Sequence, residues 1–368
     1  MPPRTARAAV YVGPRQPLEL REYPLADPPP GGLTLRMRRA NVCGSDLHFW
    51  RGHAPVPPER QVVLGHEAVG EIAALGEGLD ADDLGQPLAE GDRVVFSYFR
   101  PCSKCWACVS GKSACPHRND PWLGQGADEP PHFHGTFAEY RCLGPGHWLF
   151  KVPDSLPDAL VSPVNCALCE VFYALDCGHV TVGDTVLIQG AGGLGLYATA
   201  LAKEAGAARV IVLDRLPARL ALAAQFGADA LLNVSETTPE QRREQVLDLT
   251  DGRGADLALE LVGHPSVIPE GLELLRPGGK YLLIGNVGPG RTVEIDPAKL
   301  LVRPMRTMKA IIAYEHWVLP RALAFLARAQ GRYPFGDLVS DVFPFAAINE
   351  AIVAADEGRC IRASITFD

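Results

Sequence analysis

Residues 185–214 read TVLIQGAGGLGLYATALAKEAGAARVIVLD, and this stretch decides the fold. An apolar run, TVLIQG, leads into three glycines, Gly190, Gly192 and Gly195. An amphipathic run, LGLYATALAKEAG, follows, then a second apolar run, RVIVLD, ending in Asp214. A glycine-rich turn between a strand and a helix, with an acid 24 residues after its first glycine, has the layout of a dinucleotide-binding unit. Gly190 permits the tight turn, Gly192 lets the backbone approach a pyrophosphate, and Gly195 allows close helix–strand packing. Gly193 and Leu194 complete the loop, and the helix start offers unpaired N–H groups to phosphate. Asp214 at the second strand's end suits the ribose hydroxyls and repels a 2′-phosphate, which favours NAD over NADP. Arg215 and Arg219 lie close enough to hold a phosphate, which counts the other way.

The pattern continues downstream. ARLALAAQFG (218–227), ADLALELVG (255–263) and KYLLIGNVG (280–288) alternate helical and strand-like runs, as in a parallel sheet covered on both faces. Upstream, to about residue 155, short apolar runs are broken by Gly and Pro and read as mostly β with long loops. From about residue 313 two helical runs precede a terminal strand, IRASITF. At 368 residues the chain is long enough for two domains.

Composition narrows the function. A net charge of −8, with scattered arginines, provides no basic face for nucleic acid. The sequence shows no apolar run of membrane length, and AAVYV near the start is too short for an export signal, so a cytoplasmic protein is expected. Ten cysteines in a reducing compartment do not suggest a disulfide framework. Cys102, Cys105, Cys108 and Cys115 fall within fourteen residues, a spacing that lets four thiolates converge on one closed, structural zinc. A redox C-x-x-C belongs at a βαβ helix start, and buried packing cysteines fit poorly beside Lys104, Lys112 and Ser113.

A second, dispersed set comprises Cys43 in NVCGSDLHFWRGH (41–53), GHE (65–67) and NCA (165–167). Its residue types are those of a catalytic zinc with one open position. Spacing alone leaves His66 open to a structural reading and Cys166 to a core one.

Taken together, CGSDLH (43–48), GHE (65–67), the four-cysteine lobe and GAGGLG with Asp214 follow the order of zinc-dependent medium-chain alcohol dehydrogenases. The chain resembles that family over nearly its whole length. The resemblance implies a GroES-like, β-rich catalytic domain (1–166, with a structural zinc lobe at 98–118), a Rossmann NAD-binding domain (167–312) and a return to the catalytic domain (313–368). It implies Cys43, His66 and Cys166 as catalytic zinc ligands, with Cys169 and Glu170 as rivals for the third place. Glu67 resembles the adjacent acid that can ligate transiently, and Asp46 the carboxylate that orients the ligand histidine. Ser45 and His48 match a relay passing the hydroxyl proton by way of the nicotinamide ribose to solvent. Gly44 stands where some relatives carry a phosphate-binding arginine, and Arg362 resembles a C-terminal arginine that reaches the pyrophosphate. Trp50, Tyr98, His53 and Trp122 correspond to pocket positions, while Arg51 and Arg100 are either anion contacts or surface arginines. Two zinc ions per chain, a small alcohol, aldehyde or ketone substrate, and a homodimer or homotetramer are expected. A zinc-free quinone or enone reductase and a non-catalytic dinucleotide sensor are the alternatives.

Overall fold

The computed structural model describes residues 4–53, 60–111, 115–285, 288–339 and 341–367. In chain order its strands begin with β1 (Thr5–Tyr11), β2 (Glu19–Pro24), β3 (Leu33–Asn41), β4 (Val62–Val63) and β5 (Glu67–Leu75). Then come β6 (Arg93–Phe96), β7 (Tyr140–Leu143), β8 (Leu149–Lys151), β9 (Thr185–Gln189), β10 (Arg209–Asp214) and β11 (Ala230–Asn233). β12 (Ala255–Glu260), β13 (Leu275–Leu283), β14 (Thr307–Ala310), β15 (Asp341–Pro344) and β16 (Ala363–Thr366) complete the series. Two compact units result: residues 1–166, 319–328 and 335–368 form the first, and residues 167–318 and 329–334 the second.

In the first unit, β3 is the organising strand. It pairs antiparallel with β5 along its length, with β7 at its start and with β16 at its end. The sheet runs β15-β16-β3-β5-β6-β8, and β2-β1-β4 form a smaller sheet beside it. Leu33, Leu35, Met37 and Ala40 of β3 are buried with Ile72, Val94, Phe96 and Ile365 in one core. That packing brings Asn41 of β3 directly opposite Glu67 of β5, so the segments carrying Cys43 and His66 leave the sheet side by side.

The second unit is a six-stranded sheet in the order β11-β10-β9-β12-β13-β14, with every pairing parallel. Numbered from β9, this is the doubly wound 3-2-1-4-5-6 order. Val186, Leu187 and Ile188 are wholly buried, as are Val210, Ile211 and Val212, which accounts for their unbroken apolar runs. Residues 158–178 correct one expectation: this 21-residue helical segment is long and apolar enough to cross a membrane, although 78% of its most apolar stretch is buried inside the protein.

The first unit also buries a cluster of basic groups. Arg141 on β7 is 1% exposed and donates to the Phe133 carbonyl at 3.0 Å. Burial and the nearby Arg141 charge push His147 down to about 3, and burial chiefly pushes His134 down to about 4. Both values lie below the ordinary value of 6.5, so the unfolded chain binds more protons in the intervening range. Stability is therefore present at neutral pH and lost as pH falls through about 6.5 toward 3. At pH 5 each histidine is expected to cost about 2 kcal/mol relative to pH 7.5. His147→Asn should remove about that much of the acid sensitivity, read as the difference between urea midpoints at the two pH values. Equal acid sensitivity in variant and parent would exclude His147 as a source.

Candidate metal centre and active site

Cys43 stands immediately before the helix Gly44–Trp50, and Asp46 in that helix's first turn holds three partners. Its Oδ2 accepts the Cys43 N–H at 2.9 Å, and its Oδ1 accepts the Gly65 N–H at 3.2 Å. The same Oδ1 lies 3.3 Å from His66 Nδ1, which leaves Nε2 as the donor for a metal. Gly65 has φ +87°, and a Cβ there would sit 2.5 Å from the Phe137 ring, so only glycine brings His66 to this position.

Cys166 arrives from the far side of the sequence on a π-helical turn, Val164–Leu168. Such turns add a residue to the helical repeat and re-aim side chains, often at functional sites. Asn165 secures it: its Nδ2 donates to the carbonyls of His66 (2.9 Å) and Phe96 (3.0 Å), and its Oδ1 accepts the Ala68 N–H (3.3 Å). The sequence reading assigned no role to Asn165, although its position beside Cys166 was the available signal.

The result is one buried group. Ligand atoms of Cys43, His66, Glu67 and Cys166 all lie within 4.8 Å of one another, and Cys43 and Cys166 Sγ are 4.0 Å apart. Thiolates on a tetrahedral zinc, with Zn–S near about 2.3 Å, stand about 3.8 Å apart, so the donor set fits that ion. Cys169 and Glu170 stay outside this group: Cys169 is wholly buried and Glu170 Oε1 accepts the Ala313 N–H at 2.8 Å.

The electrostatics differ from residue to residue. A hydrogen bond from Cys166, with the His66 charge, brings the Cys43 thiol well below its ordinary value despite burial. Burial opposes a charge on His66, but Asp46 and Cys43 outweigh it and raise the imidazole. Glu67 is raised to about 8 by burial, against the pull of Arg362. Glu67 Oε2 pairs with the Arg362 guanidinium, itself 5% exposed, while Glu67 Oε1 has no hydrogen-bond partner.

Aromatic rings wall the group. Trp122 stacks on the His66 imidazole (centroids 4.4 Å, planes 28° apart), Tyr98 meets it at 5.0 Å and 60°, and Phe49 sets its edge on Trp122 at 5.5 Å. Ser45 and His48 are half-buried on the helix that starts at Cys43, and the rings of His48 and His53 are 6.0 Å apart. Trp50 packs in the core with its indole N–H on the Gln16 carbonyl at 2.9 Å. Arg51 pairs with Asp356, and Arg100 donates to the Pro145 carbonyl, so both have structural partners.

The four remaining cysteines form a separate group. Sγ distances are 3.6 Å for Cys105–Cys108, 3.8 Å for Cys105–Cys115 and 3.9 Å for Cys102–Cys108, again the spacing of thiolates on tetrahedral zinc. All four are free cysteines, and four thiolates would complete a tetrahedral set without a non-protein ligand. Paired backbone hydrogen bonds between Arg100 and Asn119 close the base of this lobe; its residues 112–114 lie outside the described residues.

In the second unit each fingerprint glycine meets its requirement. Gly190 has φ +100°, a Cβ on Gly195 would fall 1.9 Å from the Gly190 carbonyl, and one on Gly192 would meet nothing within 4 Å. Gly193 opens the helix Gly193–Glu204, followed by Leu194. Asp214 Oδ2 accepts the Ala191 N–H at 2.7 Å and Oδ1 the Leu216 N–H at 2.9 Å, which ties the strand end to the glycine turn. Arg219 is half-buried on the next helix, Pro217–Gln225.

A parallel dinucleotide-type sheet in one unit and two zinc-type clusters in the other define a zinc-binding dehydrogenase. Residues 29–154 match the model of the alcohol dehydrogenase GroES-like domain, and residues 193–328 that of the zinc-binding dehydrogenases. The chain belongs to the zinc-type alcohol dehydrogenases of the medium-chain dehydrogenase/reductase family. It is 34% identical to 5-exo-hydroxycamphor dehydrogenase of Pseudomonas putida, over 97% of each chain. With erythritol/L-threitol dehydrogenase of Mycolicibacterium smegmatis it shares 33% identity over 79% of each. An alcohol dehydrogenase structure from Thermotoga maritima superposes with a TM-score of 0.93 at 32% identity, covering 99% of this chain and all of the other.

Proposed function

We propose that this chain oxidises an alcohol with an apolar body, or reduces the matching carbonyl, using zinc and NAD. The convergence of Cys43, His66, Glu67 and Cys166 in one buried group carries the reading. Cys43, His66 and Cys166 hold the ion, Asp46 orients His66, and Glu67 stands beside it, countered by Arg362. A zinc ion there supplies the Lewis acidity that acidifies a hydroxyl or polarises a carbonyl. Ser45 takes the hydroxyl proton and His48 delivers it to solvent, a task suited to a side chain that titrates near neutrality. A dinucleotide held by the second unit would supply the hydride acceptor. The residues that would hold its pyrophosphate are Gly190, Gly192, Gly193, Leu194 and Gly195, with Arg219 as a further contact, while Arg362 is engaged by Glu67. Each Asp214 oxygen keeps a lone pair for the ribose hydroxyls, which supports NAD as the preferred cofactor. The rings of Trp122, Tyr98 and Phe49 support an apolar substrate body, in keeping with the hydroxycamphor enzyme among the relatives. The lobe of Cys102, Cys105, Cys108 and Cys115 holds a second, structural zinc, and the active protein is a homo-oligomer.

The test is reduced-nicotinamide formation with NAD or NADP across graded alcohols, beside a chelator-treated control. Zinc-dependent turnover with NAD is expected; metal and nucleotide binding without any turnover would overturn the reading. His48→Ala should lower the rate about 10- to 100-fold near neutral pH, with partial recovery in imidazole buffer. Identical pH profiles for variant and parent would remove His48 from the relay.

A further inference from the structure

β5 and β6 pair antiparallel at Gly70↔Val94 and Glu71↔Arg93, and the Ile72 N–H donates to the Asp92 carbonyl at 2.9 Å. Hydrogen-bonded pairs in such a ladder recur at every second residue, so the same register carried onward sets Ala68 against Phe96. The ladder stops before that rung, at Gly70 and Val94, and the side-chain amide of Asn165 takes its place. Oδ1 accepts the Ala68 N–H at 3.3 Å, and Nδ2 donates to the Phe96 carbonyl at 3.0 Å. Nδ2 also donates to the His66 carbonyl, at 2.9 Å. A carboxamide has one acceptor end and two N–H donors, so these three partners fix which end faces which strand. The side chain is wholly buried.

We infer that Asn165 is a positioning residue for the metal centre: as a substitute rung it holds β5 and β6 one amide apart, sets the spacing of His66 and Cys166, and so governs how firmly Cys43, His66 and Cys166 retain an ion. The inference rests on the reading of that group as a zinc centre. Asn165 acts through two ligands, on His66 by its carbonyl and on Cys166 by the peptide bond that joins them. Cys166 is the last residue of its stretch of the first unit, and beyond it the chain passes into the second. Asn165 is thus the neighbouring anchor that ties this ligand to the strands carrying the others. Residues that orient metal ligands change affinity about 10- to 100-fold when they are replaced.

The test follows release of zinc from the loaded protein to an excess of a chromogenic chelator, in two phases, one per centre. His66→Ala, which should keep the lobe ion alone, identifies the lobe phase. Asn165→Asp matches the parent in size and keeps an oxygen for the Ala68 N–H, but it presents an oxygen in place of the N–H donors to the His66 and Phe96 carbonyls. Release from the Cys43, His66 and Cys166 centre should become roughly 10- to 100-fold faster, with the lobe phase unchanged within about 3-fold. Asn165→Leu, of similar volume and without polar atoms, should do the same, because hydrogen bonds and not bulk set the spacing. Asn165→Gln keeps the amide on a longer arm and carries the same expectation should the other two variants fail to fold. Acceleration of both phases together, as a merely structural role would give, or of neither, overturns the inference and leaves the zinc reading in place. A parent protein that releases the lobe ion alone overturns the zinc reading and the inference with it.

Discussion

His66→Ala is expected to lower kcat/KM at least about 10³-fold, equivalent to roughly 4 kcal/mol of transition-state stabilisation. The imidazole is the one nitrogen donor in the group of Cys43, His66, Glu67 and Cys166, and its removal leaves two sulfurs and a carboxylate already engaged by Arg362. Metal content should fall from about two ions per chain to about one, because three protein ligands are what a catalytic zinc needs. The loss should come with little change in the melting midpoint, since the surrounding strands are held by their own core. Retained activity in a variant that binds a single ion would show that the chemistry does not depend on this centre.

Cys105→Ser should act in the opposite sense, on stability. Cys105 makes two of the close sulfur contacts in the lobe, 3.6 Å to Cys108 and 3.8 Å to Cys115. Among the described residues of the lobe few apolar side chains are buried, with Trp106 and Val109 both exposed, so a bound metal would be its main cross-link. A structural zinc contributes on the order of 10 kcal/mol in small domains, of which half lost here would lower the melting midpoint by roughly 10 °C or more. Here too one ion per chain should remain, now in the His66 centre. A midpoint that neither this substitution nor a chelator moves would refute a structural metal.

Much of this was legible beforehand because the decisive signals are local. Gly190, Gly192 and Gly195 are set by backbone geometry over a few residues, and the four-cysteine lobe spans a short loop. What was not legible depends on contacts across the fold. The placement of Cys166 is set by a π turn and by Asn165, whose amide joins segments near residues 66, 68 and 96. Strand β14 was invisible for another reason: all four of its residues are exposed, so no alternation marks it. The resemblance puts Trp50 ahead of Trp122 as a pocket position, whereas the fold seats Trp50 in the core and Trp122 on His66. The membrane-length apolar segment at 158–178 is not a continuous apolar run in the sequence, because its few polar residues interrupt the run without ending the helix.

The two metal clusters also differ in when they can exist. Cys102 and Cys115 are 13 positions apart, whereas Cys43 and Cys166 are 123 apart. Closing the longer span costs about 2 kcal/mol more in chain entropy, and it cannot begin until residue 166 has been synthesised. The lobe is therefore competent to capture an ion on the nascent chain, while the other centre must await β3, β5 and the turn that carries Cys166. With zinc in both clusters, as proposed, a scarce supply would fill the lobe before the other centre in newly made chains.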